Sequence, residues 1–439
     1  MVGLRVLRIY HGGRSGSHRA RERALVAAGI DVTLVVPASW PEGGGDALSH
    51  EPFRVVELPV SRAGDVNRHA YADVRSLARL VHELRPDLLD IHEEPVSIAA
   101  RQWLAAADGD VPVVMYTAQN VDKRYPPPFA QYERAAYARV AALYPCSRQA
   151  ASVARGKGFS GLIEVLPLGF DDTLFVPGDQ SVDEAELVLG LFGRLVPEKG
   201  VLDAVHVLAR LHTQRATRLV VVGAGPEKTR ACRLAVELGV PDRIDLIPWQ
   251  PSAELAVTYR RVHVLLVPST PTETWVEQFG RVIVEGQASG AVVAGYASGS
   301  IPEVGGDAAV LVRAGDVGGL ADAVAGLVSD ARAFADRRSQ AFALTRLRTW
   351  ASVAERQADL YRTVTGGTTA PVLLPRSPRA RRALAHAEFG PSASVIAGGR
   401  PFALPLLRRA GFIATILAGF IDVAAEATGR TRATWVRQK

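Results

Sequence analysis

Two carboxylates eight positions apart are the strongest chemical signal in the chain. Glu277 and Glu285 flank the stretch Phe279–Gly280, where a helix is expected to begin. Glu277 would then lie on the loop before the helix and Glu285 in its second turn. A helix N-terminus offers free backbone N–H groups and a positive dipole end, which bind phosphate oxygens. The pattern favours a sugar diphosphate, with amides for its oxygens and carboxylates for its hydroxyls. A solvated acidic pair on a surface helix fits the spacing equally well.

A second signal is the segment Gly193-Arg194-Leu-Val-Pro-Glu198-Lys199-Gly200, which follows one predicted strand and opens a predicted helix. Arg194 could bind a diphosphate through two parallel hydrogen bonds, and Lys199 could act as a point charge. The alternative is a helix with ordinary surface charges. Because a lysine near a helix N-terminus opposes the helix dipole, the segment favours anion binding without a metal.

The elements that must position these residues are predicted from apolar runs that end at glycine or proline. The predicted strands are Leu4–Tyr10, Val32–Val36, Leu88–Ile91, Val113–Tyr116, Leu187–Phe192, Leu219–Val222, Ile244–Ile247, Val264–Val267 and Val292–Ala294. Helices are predicted over residues 17–28, 201–213 and 351–361. Continuous apolar strands separated by helices are typical of buried parallel sheets. Two such βα-repeating halves predict an α/β protein with two facing, doubly wound, Rossmann-like domains.

A loop rich in proline and glycine, from Pro167 to Gly178, divides the two halves. We therefore expect an N-terminal domain over residues 1–170 and a second domain over residues 171–350. Residues 351–365 are expected to form a helix that crosses back to the first domain. Residues 366–439 are expected to be a linker followed by a basic, partly apolar tail.

Composition and charge narrow the function classes. The net charge is +6, but residues 376–439 hold eleven Lys and Arg against three acidic residues. The body of the protein is thus near neutral and gives no reason to expect nucleic acid. The chain has two cysteines, Cys146 and Cys232, which fit a reducing compartment. Arg5 and Arg8 interrupt the first apolar run, so no signal peptide is predicted, and a cytoplasmic protein is expected.

The tail has two interpretations. Its uncharged run, Ala410–Ile421, would span only about 18 Å as a helix, so no conventional membrane-spanning helix is predicted. Basic residues beside an apolar face could contact the inner surface of a membrane. An extra helix packed on the body is favoured slightly over that peripheral contact.

The order and spacing of several motifs resemble the retaining GT-B glycosyltransferases of glycosyltransferase family 4, over about residues 4–365. The motifs are Gly12-Gly13, Pro167-Leu-Gly-Phe-Asp171, Gly193-Arg194 with Glu198-Lys199-Gly200, Val222-Gly-Ala-Gly-Pro226, Val267-Pro-Ser269, the pair Glu277 and Glu285, and Gly299-Ser-Ile-Pro-Glu303. The resemblance implies that residues 1–170 form the acceptor-side domain and that residues 171–350 bind the nucleotide sugar. It implies a nucleoside-diphosphate sugar donor with UDP or GDP, no cofactor and no metal. It also implies transfer with retention, in which the leaving phosphate takes the acceptor's proton.

The resemblance further implies roles for individual residues. Arg194 and Lys199 would bind the diphosphate and stabilise the leaving group, and Glu285 would hold the ribose hydroxyls. Glu277 would contact the transferred sugar. The other implied donor contacts are Gly13 and Gly193 near the phosphates, Gly225, Trp249 and Gln250 near the base, and the amides of Gln278, Phe279 and Gly280 at the sugar.

Two departures from the family pattern bear on the site. Gln278 stands where a proline is common. This departure should affect donor binding little, because the backbone at this position makes the contact. Many members have a histidine after the strand that precedes Gln119 and Asn120, and either amide could take that place. An amide can bond a sugar hydroxyl but does not titrate near neutral pH.

His11, Arg14, His92 and Asn120 are candidate contacts for the acceptor, which could be a lipid-linked glycan, a polysaccharide or a small metabolite.

Three alternatives were weighed. A nicotinamide-dependent oxidoreductase is disfavoured because neither glycine-rich turn completes G-x-G-x-x-G. In addition, the predicted strand that ends at Val36-Pro37 carries no acidic residue for a ribose. A hexosamine epimerase of the same architecture is disfavoured because the chain offers no plausible acid/base pair. A catalytically silent scaffold, docked on a membrane or partner through the basic tail, stays open because the usual histidine is missing.

Overall fold

A computed structural model of the protein describes residues 3–41, 50–107, 109–182, 185–367, 371–375 and 377–390. Its first sheet is parallel, with the strand order β3-β2-β1-β6-β7-β8-β9. The strands are β1 (Arg5–Ile9), β2 (Asp31–Pro37), β3 (Arg54–Leu58), β6 (Leu88–Ile91), β7 (Val113–Thr117), β8 (Ala142–Pro145) and β9 (Leu162–Ile163). A small antiparallel pair, β4 (Val60–Ser61) and β5 (Ala70–Tyr71), lies outside this sheet.

The second sheet is also parallel, with the order β12-β11-β10-β13-β14-β15. The strands are β10 (Leu187–Phe192), β11 (Thr217–Val222), β12 (Ile244–Ile247), β13 (Val264–Val267), β14 (Val292–Tyr296) and β15 (Val310–Val312). In each sheet the chain runs outward from the first strand and then crosses to that strand's other side. The direction in which successive strands are added to the sheet therefore reverses between β1 and β6 and between β10 and β13. Ligands of doubly wound sheets bind at such points, beyond the carboxyl ends of the strands.

Helices cover both sheets. Those associated with the first sheet are α1 (Ala20–Ala27), α2 (Val74–Leu84), α3 (Ile98–Ala106), α4 (Phe129–Arg139) and α5 (Arg148–Lys157). Those associated with the second are α6 (Val201–His212), α7 (Lys228–Glu237), α8 (Ser252–Tyr259), α9 (Arg281–Ala288), α10 (Ile301–Gly305), α11 (Val317–Val328) and α12 (Ala331–Thr345). They are followed by α13 (Trp350–Thr365) and α14 (Pro378–Phe389). This architecture confirms the predicted α/β fold with two Rossmann-like domains.

The chain crosses between the two sheets twice, and the crossings are hydrogen-bonded to each other. The backbone N–H of Phe170 donates to the carbonyl of Arg348 at 3.2 Å, and that of Trp350 donates to the carbonyl of Phe170 at 3.2 Å. Gly169 lies against the Trp350 ring, where a Cβ would come within 2.4 Å of it. The first and last residues of the second domain are therefore fixed to each other.

Helix α13 packs against the first sheet rather than the second. Ala354, Ala358 and Tyr361 share a core cluster with Val6 and Leu25. The side chain of Gln357 also donates to Asp90, on β6, at 3.1 Å.

The segment after residue 366 contains more structure than the expected linker. Helix α14 packs on α5, and Arg155 donates to both oxygens of Glu388 at 3.0 and 3.1 Å. Arg382 forms an ion pair with Asp122 at 2.8 Å. The apolar run Ala410–Ile421, on which the membrane-contact hypothesis depends, lies outside the described residues. Within the described part of the chain, no helix is long and apolar enough to cross a membrane.

The glycine pair after β1 departs from the predicted loop. Residues His11–Arg14 form a 3-10 helix, a second one covers Gly16–His18, and α1 begins only at Ala20. A Cβ at Gly13 would lie 3.1 Å from the Leu34 side chain, so the missing side chain lets the 3-10 turn sit close to β2.

Candidate functional site

The carboxyl ends of the two sheets meet through side-chain hydrogen bonds. The amide of Asn120, three residues beyond β7, donates to the backbone carbonyl of Glu277 at 2.8 Å. The amide of Gln278 donates in the opposite direction, to the carbonyl of Ala118, at 3.2 Å. These two bonds join the segment after β7 to the segment before α9, and the candidate donor residues lie around them.

The Glu277 carboxylate is held by a cation and a hydroxyl. Lys199 Nζ lies 2.5 Å from Glu277 Oε2, and Ser269 Oγ lies 3.1 Å from the same oxygen. Glu277 is only 6% exposed, and the Lys199 ammonium also lies 5.4 Å from the centre of the Trp275 ring. A carboxylate this buried needs its cation. The pair places one positive and one negative group beside the N-terminus of α9.

Helix α9 begins with an uncapped N-terminus, close to where the sequence predicted it. Its N-cap residue, Gly280, has a φ of +79° and provides no side-chain cap. The first-turn N–H groups are thus not satisfied by a capping side chain, as an anion site requires. The left-handed conformation at this position favours glycine.

Glu285 lies on α9, buried beneath the same junction. Its Oε2 accepts a hydrogen bond from the Tyr259 hydroxyl at 3.3 Å, and its Oε1 accepts one from Arg281 at 3.3 Å. Burial, and then the Glu285 charge, raises the pKa of Tyr259. The same carboxylate raises the pKa of Arg281. The hydrogen bonds that Tyr259 and Arg281 donate therefore fix the orientation of the Glu285 carboxylate.

The glycine-rich turns of the second sheet approach each other closely. Gly193 ends β10 with a φ of +132°, and Gly225 has a φ of +155°. A Cβ on Gly225 would come within 2.3 Å of the Leu195 carbonyl oxygen. Arg194 lies between these turns and is exposed, so its guanidinium is accessible to a ligand.

The predicted base-side residues follow the edge strand β12. Trp249 is 73% exposed, which is unusual for a tryptophan and leaves its ring available for stacking. Gln250 accepts a hydrogen bond from the Thr258 hydroxyl at 2.9 Å, so α8 fixes its side chain.

Gln119 and Asn120, the two candidates for the place of the usual histidine, make different contacts. The Gln119 amide donates within its own loop, to the Val121 carbonyl at 3.3 Å, whereas Asn120 bonds across the domains. The turn that carries them is held by Glu94, which accepts from Thr117 Oγ1 at 2.7 Å and from the Ala118 N–H at 2.8 Å. Burial raises the pKa of Glu94.

The predicted acceptor-side residues follow β1 and β6. His92 is buried, with its ring stacked on Tyr116 at 4.0 Å between centroids and its Nδ1 3.1 Å from the Tyr144 hydroxyl. Burial lowers the pKa of His92 well below its ordinary range. The ring of His92 thus packs against aromatic neighbours, and its role as an acceptor contact stays a prediction. His11 Nδ1 lies 2.6 Å from Glu93, and Arg14 forms an ion pair with Glu57 at 3.3 Å.

Several residues of the site were missed from the sequence. Ser269 belongs to the motif Val267-Pro-Ser269 but was assigned no role, and no sequence pattern marked Tyr259 or Arg281 as site residues. Beneath the first sheet's carboxyl edge, the fully buried Arg8 forms an ion pair with Glu22 at 2.5 Å and another with Asp90. Charged residues inside two predicted strands, Arg8 in the first and Asp90 in Leu88–Ile91, were the sequence sign of this network.

Two family models match this chain. The model for glycosyl transferases group 1 matches residues 176–342, and the model for the glycosyl transferase 4-like domain matches residues 20–169. The chain therefore contains a glycosyl transferase 4-like domain followed by a glycosyl transferases group 1 domain, as its motifs indicated.

Relatives and solved structures agree with this assignment. The chain is 32% identical over 217 residues to D-inositol 3-phosphate glycosyltransferase from Nocardia farcinica, an alignment that covers 45% of this chain and 47% of that protein. It spans about half the length of the curated relatives it matches. Sucrose-phosphate synthase from Thermosynechococcus elongatus has a TM-score of 0.65 at 20% identity, covering 83% of this chain and 99% of that one. Anabaena HepE in complex with UDP and glucose has a TM-score of 0.64 at 17% identity, covering 82% and 100%. These likenesses confirm the GT-B fold.

Proposed function

We propose that the protein is a glycosyltransferase that moves a hexose-type sugar from a UDP- or GDP-sugar to a hydroxyl-bearing acceptor. The observation that carries this proposal is the Lys199–Glu277 pair beside the uncapped N-terminus of α9. A cation, a carboxylate and helix N-terminal amides without a side-chain cap are the groups needed to bind a sugar diphosphate at its phosphate and sugar parts. The two matching family models and the relatives' names support the same chemistry.

The donor would lie against the carboxyl edge of the second sheet. Arg194 is exposed beside the glycine turns and would bind the diphosphate together with Lys199. Glu285 already accepts hydrogen bonds from Tyr259 and Arg281, and its remaining lone pairs would accept from the ribose hydroxyls. Trp249 would lie near the base, where its exposed ring could stack.

Transfer would proceed with retention and without a metal at the diphosphate. The acceptor hydroxyl oxygen would bond to the anomeric carbon on the face from which the diphosphate leaves, and the acceptor proton would pass to the departing phosphate oxygen. Arg194 and Lys199 would stabilise the charge that develops on that oxygen. Together they would take the role that a divalent cation has in metal-dependent transferases. The protein would thus supply positioning and electrostatic stabilisation.

The acceptor would bind on the side of the first sheet, near His11, Arg14 and the Gln119–Asn120 turn. Curated relatives are named for D-inositol 3-phosphate, so a phosphorylated polyol is the first acceptor class to try. We also propose a cytoplasmic location. Peripheral contact with a membrane through the basic tail remains a separate proposal, because it depends on residues outside the described part of the chain.

A transfer assay tests this function. The protein would be incubated in EDTA with UDP- and GDP-hexoses and an acceptor panel that begins with D-inositol 3-phosphate, and acceptor-dependent release of nucleoside diphosphate would be measured. Glu285→Ala should lose this release, whereas Glu254→Ala, a matched change at an exposed position on α8, should keep it. An NMR spectrum of the product should give the same anomeric configuration as the donor.

The scaffold hypothesis predicts a different result from the same assay. If nucleotides bind but no member of the panel, including lipid-linked and polysaccharide acceptors, releases nucleoside diphosphate, the enzyme proposal fails. A product with inverted configuration would leave the transferase proposal standing and overturn the retaining mechanism.

A further inference from the structure

Two histidines and a glutamate converge at the carboxyl edge of the first sheet. His11 follows β1, Glu93 follows β6, and His69 precedes β5. One ligand atom from each lies within 4.8 Å of the other two, the one such metal-ligand group among the described residues. His11 Nδ1 is 2.6 Å from Glu93 Oε2, and His69 Nε2 is 4.0 Å from Glu93 Oε1.

The hydrogen bonding of His69 determines which of its nitrogens carries the proton. His69 Nδ1 lies 3.1 Å from the backbone carbonyl oxygen of Asp65. A carbonyl only accepts, so Nδ1 must be the donor, and in the neutral ring Nε2 then presents a lone pair. That nitrogen is buried, has no hydrogen-bond partner, and faces the Glu93 carboxylate.

This arrangement places a lone pair opposite a carboxylate away from water. Both His69 and Glu93 have fully buried side chains, at 0% exposure. Glu93 Oε1 accepts a hydrogen bond from the His11 backbone N–H at 2.8 Å, whereas His69 Nε2 receives none. Two electron-rich groups that face each other in a low-dielectric site repel, and a cation between them removes that repulsion. A proton on Nε2 is a poor candidate, because 4.0 Å is too long for a hydrogen bond to the carboxylate.

We propose that His11, His69 and Glu93 form a binding site for a divalent transition-metal ion, of which Zn²⁺ is the best match. Nitrogen and oxygen ligands lie about 2.0–2.2 Å from Zn²⁺, so two of them on a tetrahedral ion are about 3.4 Å apart. His69 Nε2 and Glu93 Oε1, 4.0 Å apart, would close by about 0.6 Å to reach that separation. His11 Nδ1 and Glu93 Oε2, 2.6 Å apart in a hydrogen bond, would open by about 0.8 Å when the metal replaces the shared proton. The bond from His69 Nδ1 to a backbone carbonyl is the arrangement that orients metal-bound histidines.

The ligand set selects the class of metal. Two imidazoles and a carboxylate suit Zn²⁺, Co²⁺ or Ni²⁺, whereas Mg²⁺ and Ca²⁺ prefer oxygen ligands throughout. Three protein ligands leave a fourth position for water. The His11 side chain is 20% exposed, so solvent reaches the cluster past this residue. The donor residues Arg194 and Lys199 belong to the second domain, and nucleotide binding does not depend on this ion.

Metal binding to the purified full-length chain tests the proposal. The protein would carry Cys232→Ser, because the exposed Cys232 thiol could bind zinc adventitiously, and its affinity tag would be removed. After chelation and dialysis it would be titrated with Zn²⁺ and Co²⁺. We expect one equivalent per chain, an intense visible spectrum typical of four-coordinate Co²⁺, and a zinc-dependent rise in melting temperature.

Three variants in the same background identify the ligands. His69→Gln and Glu93→Gln should each weaken zinc binding at least tenfold, and His82→Gln, at an exposed position on α2, should not. If His69→Gln fails to fold, Glu93→Gln gives the same information, because its side-chain amide is nearly isosteric. The proposal is overturned if the parent protein binds less than one equivalent with micromolar affinity. It is also overturned if both ligand variants bind zinc as the parent does.

Discussion

Replacing Lys199 by methionine should lower both the stability of the protein and its affinity for nucleoside diphosphates. The substitution keeps most of the side-chain volume but leaves the buried Glu277 carboxylate with the Ser269 hydroxyl as its remaining side-chain donor. Breaking a buried ion pair costs about 3–5 kcal/mol. Because the Lys199 and Glu277 side chains keep 19% and 8% exposure, we discount this to about 2 kcal/mol, or about 30-fold in the folding equilibrium.

A second substitution separates the two effects. Glu277→Gln removes the buried charge, so Lys199→Met combined with Glu277→Gln should recover most of the lost stability. It should not recover nucleotide binding, because the charge-assisted bond to the diphosphate, worth about 1.5–3 kcal/mol, is still missing. We expect UDP or GDP to bind about 10–100-fold more weakly to both the single and the double variant.

The assay combines urea denaturation with calorimetric titration of UDP and GDP. Free UDP and GDP are used because Glu277 is assigned to the transferred hexose, which these nucleotides lack. Lys228→Met, at an exposed position on α7, is the matched control and should change neither quantity. If the double variant binds nucleotide as tightly as the parent, the assignment of Lys199 to the diphosphate is wrong. If Lys199→Met alone leaves the denaturation midpoint unchanged, the structural account of the ion pair is wrong.

Three further predictions follow from the same structure. Arg8→Met should destabilise the protein by about 3–5 kcal/mol, because Asp90 and a second buried carboxylate lose their cation; a melting temperature within one degree of the parent would contradict this. Burial lowers the pKa of His92, so the unfolded state binds its proton first as pH falls through about 6.5, and stability falls by up to about 1.4 kcal/mol per pH unit. His92→Gln should therefore have a shallower loss of melting temperature between pH 7.5 and 5.5, and equal slopes would refute the assignment. Gly225→Ala should weaken nucleotide binding at least tenfold, since its Cβ would overlap the Leu195 carbonyl, and calorimetry showing an unchanged dissociation constant would contradict that reasoning.

Much of the fold could be predicted because buried parallel strands are continuous apolar runs. The bounds of Leu88–Ile91, Leu187–Phe192 and Val264–Val267 were predicted without error. The strand Arg54–Leu58 was missed because it lies at a sheet edge and carries two charged residues. For the tail, an extra helix packed on the body was slightly favoured, but the bounds Pro378–Phe389 were not predicted because arginines interrupt its apolar positions.

The candidate site could be predicted only as separate pieces. Local spacing predicted Glu277 and Lys199 as ligand-binding residues, but their direct contact joins positions 78 residues apart. The bond between Asn120 and the Glu277 carbonyl spans 157 residues. His69 precedes a two-residue strand that no sequence pattern marks. Contacts of this kind depend on which strands become neighbours in the folded protein, and local periodicity carries no information about that.

The most direct test of the donor site is calorimetric titration of the parent protein with UDP, GDP and ADP in EDTA, repeated with Glu285→Ala. We predict that UDP or GDP binds with one site per chain, that EDTA does not abolish the binding, and that Glu285→Ala weakens it at least tenfold. No heat of binding with any of the three nucleotides, or equal affinity in Glu285→Ala, would contradict the assignment of the donor site.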